Sequence, residues 1–126
     1  MGIDGLAGCR VLVVEDEPLL AIELEGLLQE FGCVVVGPVS SLARALQLAQ
    51  DGSFDVALLD VVIRGGDVYP VADLLIARGI PFALASGYSK SAFPERLRQY
   101  PRLLKPFTRS DMADTLTLLR GALSVS

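Results

Sequence analysis

Short apolar runs suited to β-strands alternate with helix-patterned stretches along this 126-residue chain, and that alternation limits the fold more than any other feature. Arg10 to Glu15 reads as a buried strand. Pro18 then stands at a first helical position, where its missing N–H costs nothing. Leu20, Leu24, Leu27, Leu28 and Phe31 follow at helical spacing, and Gly32 ends the run. Cys33 to Gly37 is a second strand, and Ser40 or Ser41 caps a helix reaching about Ala49. Phe54 to Leu59 is a third strand that ends at Asp60. Asp67 is expected to cap a helix carrying Val71, Leu74 and Leu75, with Gly79 closing it. Pro81 to Ser86 is a fourth strand, and Leu103-Leu104 is a short fifth. Thr108 and Asp111 have the spacing of a capping box, with Asp in place of the usual Glu. The helix behind them places Met112, Leu116, Leu119 and Leu123 on one face. Pro94 and Pro101 bracket only Glu95 to Tyr100, so a fourth helix before the fifth strand is short.

Five strands interleaved with helices define an α/β protein with a parallel sheet covered on both faces. No repeat, linker or low-complexity tract interrupts the pattern, so residues 1–126 are expected to form one domain with its core over about 10–123. Apolar residues make up 52% of the chain, enough for a core without staples. No apolar run approaches a membrane span of about 18 residues. The N-terminus lacks the basic start and apolar stretch of a secretory signal. A cytoplasmic protein with no membrane partner is therefore expected. Cys9 and Cys33 read as isolated small apolar side chains in a reducing compartment. The absence of histidine removes the usual zinc ligand sets.

Charge is uneven along the chain. Residues 1–63 hold 10 acids and 2 bases, whereas residues 64–126 hold 5 acids and 9 bases. The span 86–110 contains Lys90, Arg96, Arg98, Arg102, Lys105 and Arg109 against Glu95 alone. It reads either as a solvated surface or as a docking face for an acidic partner. The negative total and the lack of interleaved aromatic and basic residues argue against nucleic acid.

The polar residues at the strand ends carry the chemistry. Strand one ends in Glu15 and Asp16, strand three in Asp60, strand four in Ser86, and Lys105 follows strand five. In a parallel sheet these gather at the carboxyl edge, where ligands bind in such folds. Carboxylates about 5 Å apart repel by roughly 3 kcal/mol per pair at an effective dielectric near 20. A divalent cation offsets that repulsion. Mg²⁺ takes a few carboxylates and several waters and bridges readily to phosphate. A carboxylate beside a metal, a lysine and a hydroxyl is equipped to attack a phosphoryl group.

The pieces V-L-V-V-E-D-E-P, D-V-A-L-L-D, A-S-G and L-L-K-P-F, in this order, resemble the response-regulator receiver domain of two-component signalling. The resemblance runs from about Arg10 to Leu123. It implies the doubly wound strand order 2-1-3-4-5. It also implies that Asp60 accepts phosphate from a sensor histidine kinase or a histidine phosphotransfer protein. Glu15, Asp16, Asp60 and the Val62 carbonyl would hold Mg²⁺, with Glu15 acting mainly through water. Ser86 would be the switch hydroxyl, Lys105 would pair with the phosphoryl group, and Lys105–Pro106 would be cis. The chain is expected to be a stand-alone switch rather than an enzyme, catalysing only its own phosphorylation and dephosphorylation. Its output would pass through the 86–110 face, or it would serve as a phosphate sink.

P-F-A-L-A-S-G-Y with a proline-broken fourth helix resembles a bacterial subfamily bearing an F-A-T-G-Y-like motif. Arg102 departs from the family, which usually places an aromatic three residues before the lysine. In place of the usual coupling, the loop from Gly87 to Phe93 is expected to respond to phosphate at Ser86. Three other readings stay open: a docking module that needs no phosphorylation, a small Mg²⁺-dependent phosphohydrolase with an Asp nucleophile, and a flavin-binding module. Val62 stands where such hydrolases carry a second acid, and no flavin phosphate loop is evident.

Overall fold

The structure, a computed structural model, describes Ile3, residues 5–87 and residues 92–125, with side chains as far as Ala122. The strands are β1 (Arg10–Val14), β2 (Val34–Val39), β3 (Val56–Asp60), β4 (Val62–Ile63), β5 (Gly66–Asp67), β6 (Phe82–Ser86) and β7 (Arg102–Leu104). The α-helices are α1 (Pro18–Glu30), α2 (Leu42–Asp51), α3 (Tyr69–Arg78) and α4 (Arg109–Val125). Five strands make one parallel sheet in the order β2-β1-β3-β6-β7. This is the expected doubly wound order, and its direction reverses between β1 and β3, where a crevice opens at the carboxyl ends.

The continuous apolar runs of β1, β3 and β6 follow from burial on both faces. Alternate residues enter different halves of the core. Leu12, Val14, Ala57, Leu59, Phe82 and Leu84 pack with Ala45 and Ala49 of α2 and with Val71, Ala72 and Leu75 of α3. Val11, Val13, Val56, Leu58, Ala83 and Ala85 pack with Leu24 and Leu28 of α1 and with Met112, Leu116 and Leu119 of α4.

Helix starts follow the local chemistry of the chain. Glu17 caps α1, its carboxylate accepting from the N–H groups of Leu19 and Leu20. Ser41 caps α2 through Arg44 N–H. Thr108 and Asp111 form the reciprocal box ahead of α4, at 2.9 and 3.0 Å. Asp67 does not cap α3. Gly65 and Gly66 have φ of +102° and +135°, turning the chain into a small antiparallel ribbon in which Asp67 pairs with Val62. Val68 takes the cap position without a side-chain bond, and Pro70 sits in the first helical turn.

Strand β2 runs past the expected stop at Gly37 to Val39, through a cis Gly37–Pro38 bond. The register slips between Leu12 and Val14, and the Val39 carbonyl then accepts from Glu15 N–H at 2.9 Å. The irregular edge strand therefore anchors the backbone that carries Glu15. Gly37 has φ of +99°, and a Cβ there would lie 2.8 Å from Val39 N and 3.0 Å from Val13 O. Gly37→Ala is expected to destabilise the fold by about 1–3 kcal/mol, read as a lowered urea midpoint; an unchanged midpoint would show that β2 relaxes freely.

Between β6 and β7, Glu95–Leu97 form a 3₁₀ turn, in agreement with a short fourth helix. Phe93 and Leu97 are buried, and Tyr100 stacks on Phe82 with ring centroids 4.7 Å apart. Tyr88, Lys90 and the Leu123 side chain lie outside the described residues. Among the described residues no helix is long and apolar enough to cross a membrane. Both cysteines are buried free thiols, as expected, but they are not isolated from each other.

Candidate functional site

The crevice at the switch point collects residues from four connections. Glu15 and Asp16 leave β1, Asp60 closes β3, Ser86 closes β6, and Lys105 follows β7. Among the described residues, Glu15 and Ser86 are the buried polar residues, each only 3% exposed. Carboxylate oxygens of Glu15, Asp16 and Asp60 all lie within 4.8 Å of one another.

Lys105 closes this cluster. Its Nζ lies 3.1 Å from Glu15 Oε1 and 3.2 Å from Asp60 Oδ1. Its backbone N–H donates to the Ser86 carbonyl at 2.9 Å, tying the lysine to the end of β6. The other Glu15 oxygen accepts from Glu17 N–H at 3.1 Å. The Lys105–Pro106 peptide is cis, as the resemblance implies. The resemblance implies a role for Lys105 toward a phosphoryl group; the structure shows its ammonium bridging two acids.

Burial, and then the Glu15 charge, push the Asp60 carboxyl up to about 6, against the pull of Lys105. Burial works against the Lys105 ammonium, yet hydrogen bonds and charge from Glu15 and Asp60 raise its pKa overall. An oxygen-only donor set beside a single ammonium fits a hard divalent cation such as Mg²⁺. Val62 is 54% exposed at the rim and presents no acid there.

Arg64 was not singled out by sequence. It lines a cavity of about 280 Å³ with Glu15, Asp16, Pro38 and Ser40. Its carbonyl accepts from Leu42 N–H, fixing the ribbon loop against α2. No local motif marks it, because its place depends on the β4–β5 ribbon. Leu19 and Ile22 of α1 are 71% and 66% exposed, and Ile22 borders the same cavity. In the 86–110 span, several bases have partners within the chain. Arg96 pairs with Asp73 of α3 and Arg109 with Glu30 of α1.

Fold and site together define a doubly wound α/β module with an acidic switch-point pocket. Residues 11–117 match the family model described as the response regulator receiver domain, and the chain belongs to that family. The transcriptional regulatory protein PdtaR of Mycobacterium tuberculosis is 30% identical over 113 residues, covering 86% of this chain and 55% of PdtaR. The chain thus spans about half the length of that curated relative. The solution structure of SdrG from Sphingomonas melonis is 43% identical with a TM-score of 0.77, covering 93% of this chain and 98% of SdrG. A BeF3-activated conformation of SdrG, its source given as Pseudomonas melonis, is 44% identical with a TM-score of 0.74, covering 93% of this chain and 97% of that one. The family places the chain among signalling proteins of two-component systems.

Proposed function

We propose that this domain is a phosphoacceptor switch in which Asp60 takes a phosphoryl group from a phosphohistidine donor. The observation that carries this reading is the placement of Lys105 between Glu15 and Asp60, within 3.2 Å of both. An Asp60 oxygen attacks phosphorus as the phosphorus–nitrogen bond of the donor breaks and the imidazole leaves. Lys105 then turns toward the phosphoryl oxygens, and the Ser86 hydroxyl donates to one of them. Glu15, Asp16, Asp60 and the Val62 carbonyl would hold Mg²⁺, which neutralises charge on the transferring group when bound.

The donor is a sensor histidine kinase or a histidine phosphotransfer protein. Exposed Ile22 beside the pocket, with Leu19 exposed on the same helix, offers such a protein apolar contact. Output passes through the 86–110 face, because drawing Lys105 to phosphate relaxes its hold on Glu15; otherwise the domain drains phosphate between kinases. Turnover of small phosphoesters is not part of this reading, since the exposed Val62 supplies no second acid. The BeF3-activated form of SdrG supports the comparison with a phosphorylated state.

Transfer from a phosphorylated histidine donor tests this directly. Label is expected on the wild-type chain with Mg²⁺ and to disappear with EDTA. Asp16→Asn is expected to raise the Mg²⁺ concentration for half-maximal labelling by roughly tenfold or more, the loss of one carboxylate ligand. Labelling that is indifferent to EDTA would sink the metal assignment.

A further inference from the structure

The fold brings together two thiols that the phosphoacceptor site does not use. Gly8-Cys9-Arg10-Val11 and Gly32-Cys33-Val34-Val35 repeat the same pattern, and β1 and β2 pair them in parallel. Arg10 lies opposite Val34, so Cys9 lies opposite Cys33. Gly8 N–H donates to the Gly32 carbonyl and Val34 N–H to the Cys9 carbonyl, both at 2.8 Å, extending the ladder across the pair. Both side chains enter the same half of the core. Neighbouring strands run about 4.8 Å apart, inside the Cα separation range of roughly 4.4–6.8 Å that a disulfide spans.

We propose that Cys9 and Cys33 are a reversible oxidation site that forms an intramolecular disulfide with a peroxide-class oxidant. The neighbouring Cys33 thiol holds the Cys9 thiol down to about 7, while Cys9 and burial push the Cys33 thiol up. Cys9 is therefore the attacking thiolate. Its sulfur takes one oxygen of hydrogen peroxide as the O–O bond breaks, and the other oxygen leaves as water. The Cys33 sulfur then attacks the sulfenic sulfur, and a second water leaves. Two thiols give up two electrons in total, and a small dithiol reductant returns them.

Cys9 is fully buried and Cys33 is 6% exposed. The turn at residues 5–8 precedes Cys9, with Leu6 packed in the same half of the core, and turns open locally at lower cost than sheet strands. The closed ring encloses β1, α1 and the intervening acids, so it restricts the unfolded chain.

The test treats folded wild-type protein with hydrogen peroxide, then denatures it with an alkylating agent and records intact mass. The expected product is a monomer lighter by two hydrogens, carrying no alkyl group, and returned to two alkylated cysteines by dithiothreitol. Its Tm is expected to rise by about 5–15 °C over the reduced form. Cys33→Ser, treated alike, is expected to stop at a sulfenic acid that a dimedone probe captures. Two alkylated cysteines after peroxide, a disulfide joining two chains, or a lower Tm would each overturn the proposal. The wild-type readout stands even if the variant folds poorly.

Discussion

Lys105→Met is expected to destabilise the metal-free protein by about 2–4 kcal/mol at pH 7, the cost of breaking a buried ion pair and leaving its partners charged. Lys105 is the ammonium in contact with Glu15, whose side chain is 2% exposed, and it also meets Asp60. The lysine side chain itself is 25% exposed, so solvent screens part of the interaction and holds the loss below that of a fully buried pair. Methionine keeps most of the volume, which confines the change to charge. Urea unfolding in EDTA at pH 7 and pH 4.5 reads the effect. The loss should shrink at the lower pH, where Asp60 binds a proton and the lysine has less charge to offset. An equal loss at both values would mean that Lys105 acts through packing.

Asp60→Asn is expected to move stability the other way. The Asp60 carboxyl is pushed up to about 6 from an ordinary 3.8, first by burial and then by the Glu15 charge. The folded state therefore binds the Asp60 proton more tightly than the unfolded state does. Between pH 4 and pH 6 folded molecules carry more protons, so stability falls as pH rises through that window. Above about pH 6 the ionised carboxylate opposes folding by about 1–3 kcal/mol. Asparagine removes that cost at neutral pH and changes little below pH 4. In EDTA the variant should show a higher urea midpoint than wild type at pH 7.5 and an equal one near pH 4. A lower midpoint at pH 7.5 would mean that attraction to Lys105 outweighs burial and the Glu15 repulsion. The two substitutions thus separate the ammonium's contribution from the acceptor's cost within one contact.

Most of the sheet was legible because its central strands are buried on both faces. Runs such as Val11 to Val14 and Val56 to Leu59 then need no partner to be recognised. Strand order was not contained in those runs; it came from the family resemblance, and the pairing of β1 with both β2 and β3 agrees with it. The acids, Ser86 and Lys105 were legible because the carboxyl edge of a parallel sheet gathers strand-end residues from distant parts of a chain. What escaped was set by irregular backbone. The Gly65-Gly66 reversal took Asp67 away from its expected cap and brought Arg64 to the pocket. The passage of β2 through Gly37 and Pro38 extended a strand beyond a residue pair that ordinarily ends one. The thiol pair escaped because adjacency in a parallel sheet depends on register, and Cys33 lies 24 positions after Cys9.

The central claim is that Asp60 is the acceptor. Intact-mass spectrometry after incubation with acetyl phosphate and Mg²⁺, comparing wild type with Asp60→Asn, tests it most directly. One phosphoryl group on wild type and none on the variant is the expected result. A phosphoryl group retained by the Asp60→Asn protein would contradict the assignment, because the acceptor would then lie elsewhere in the chain.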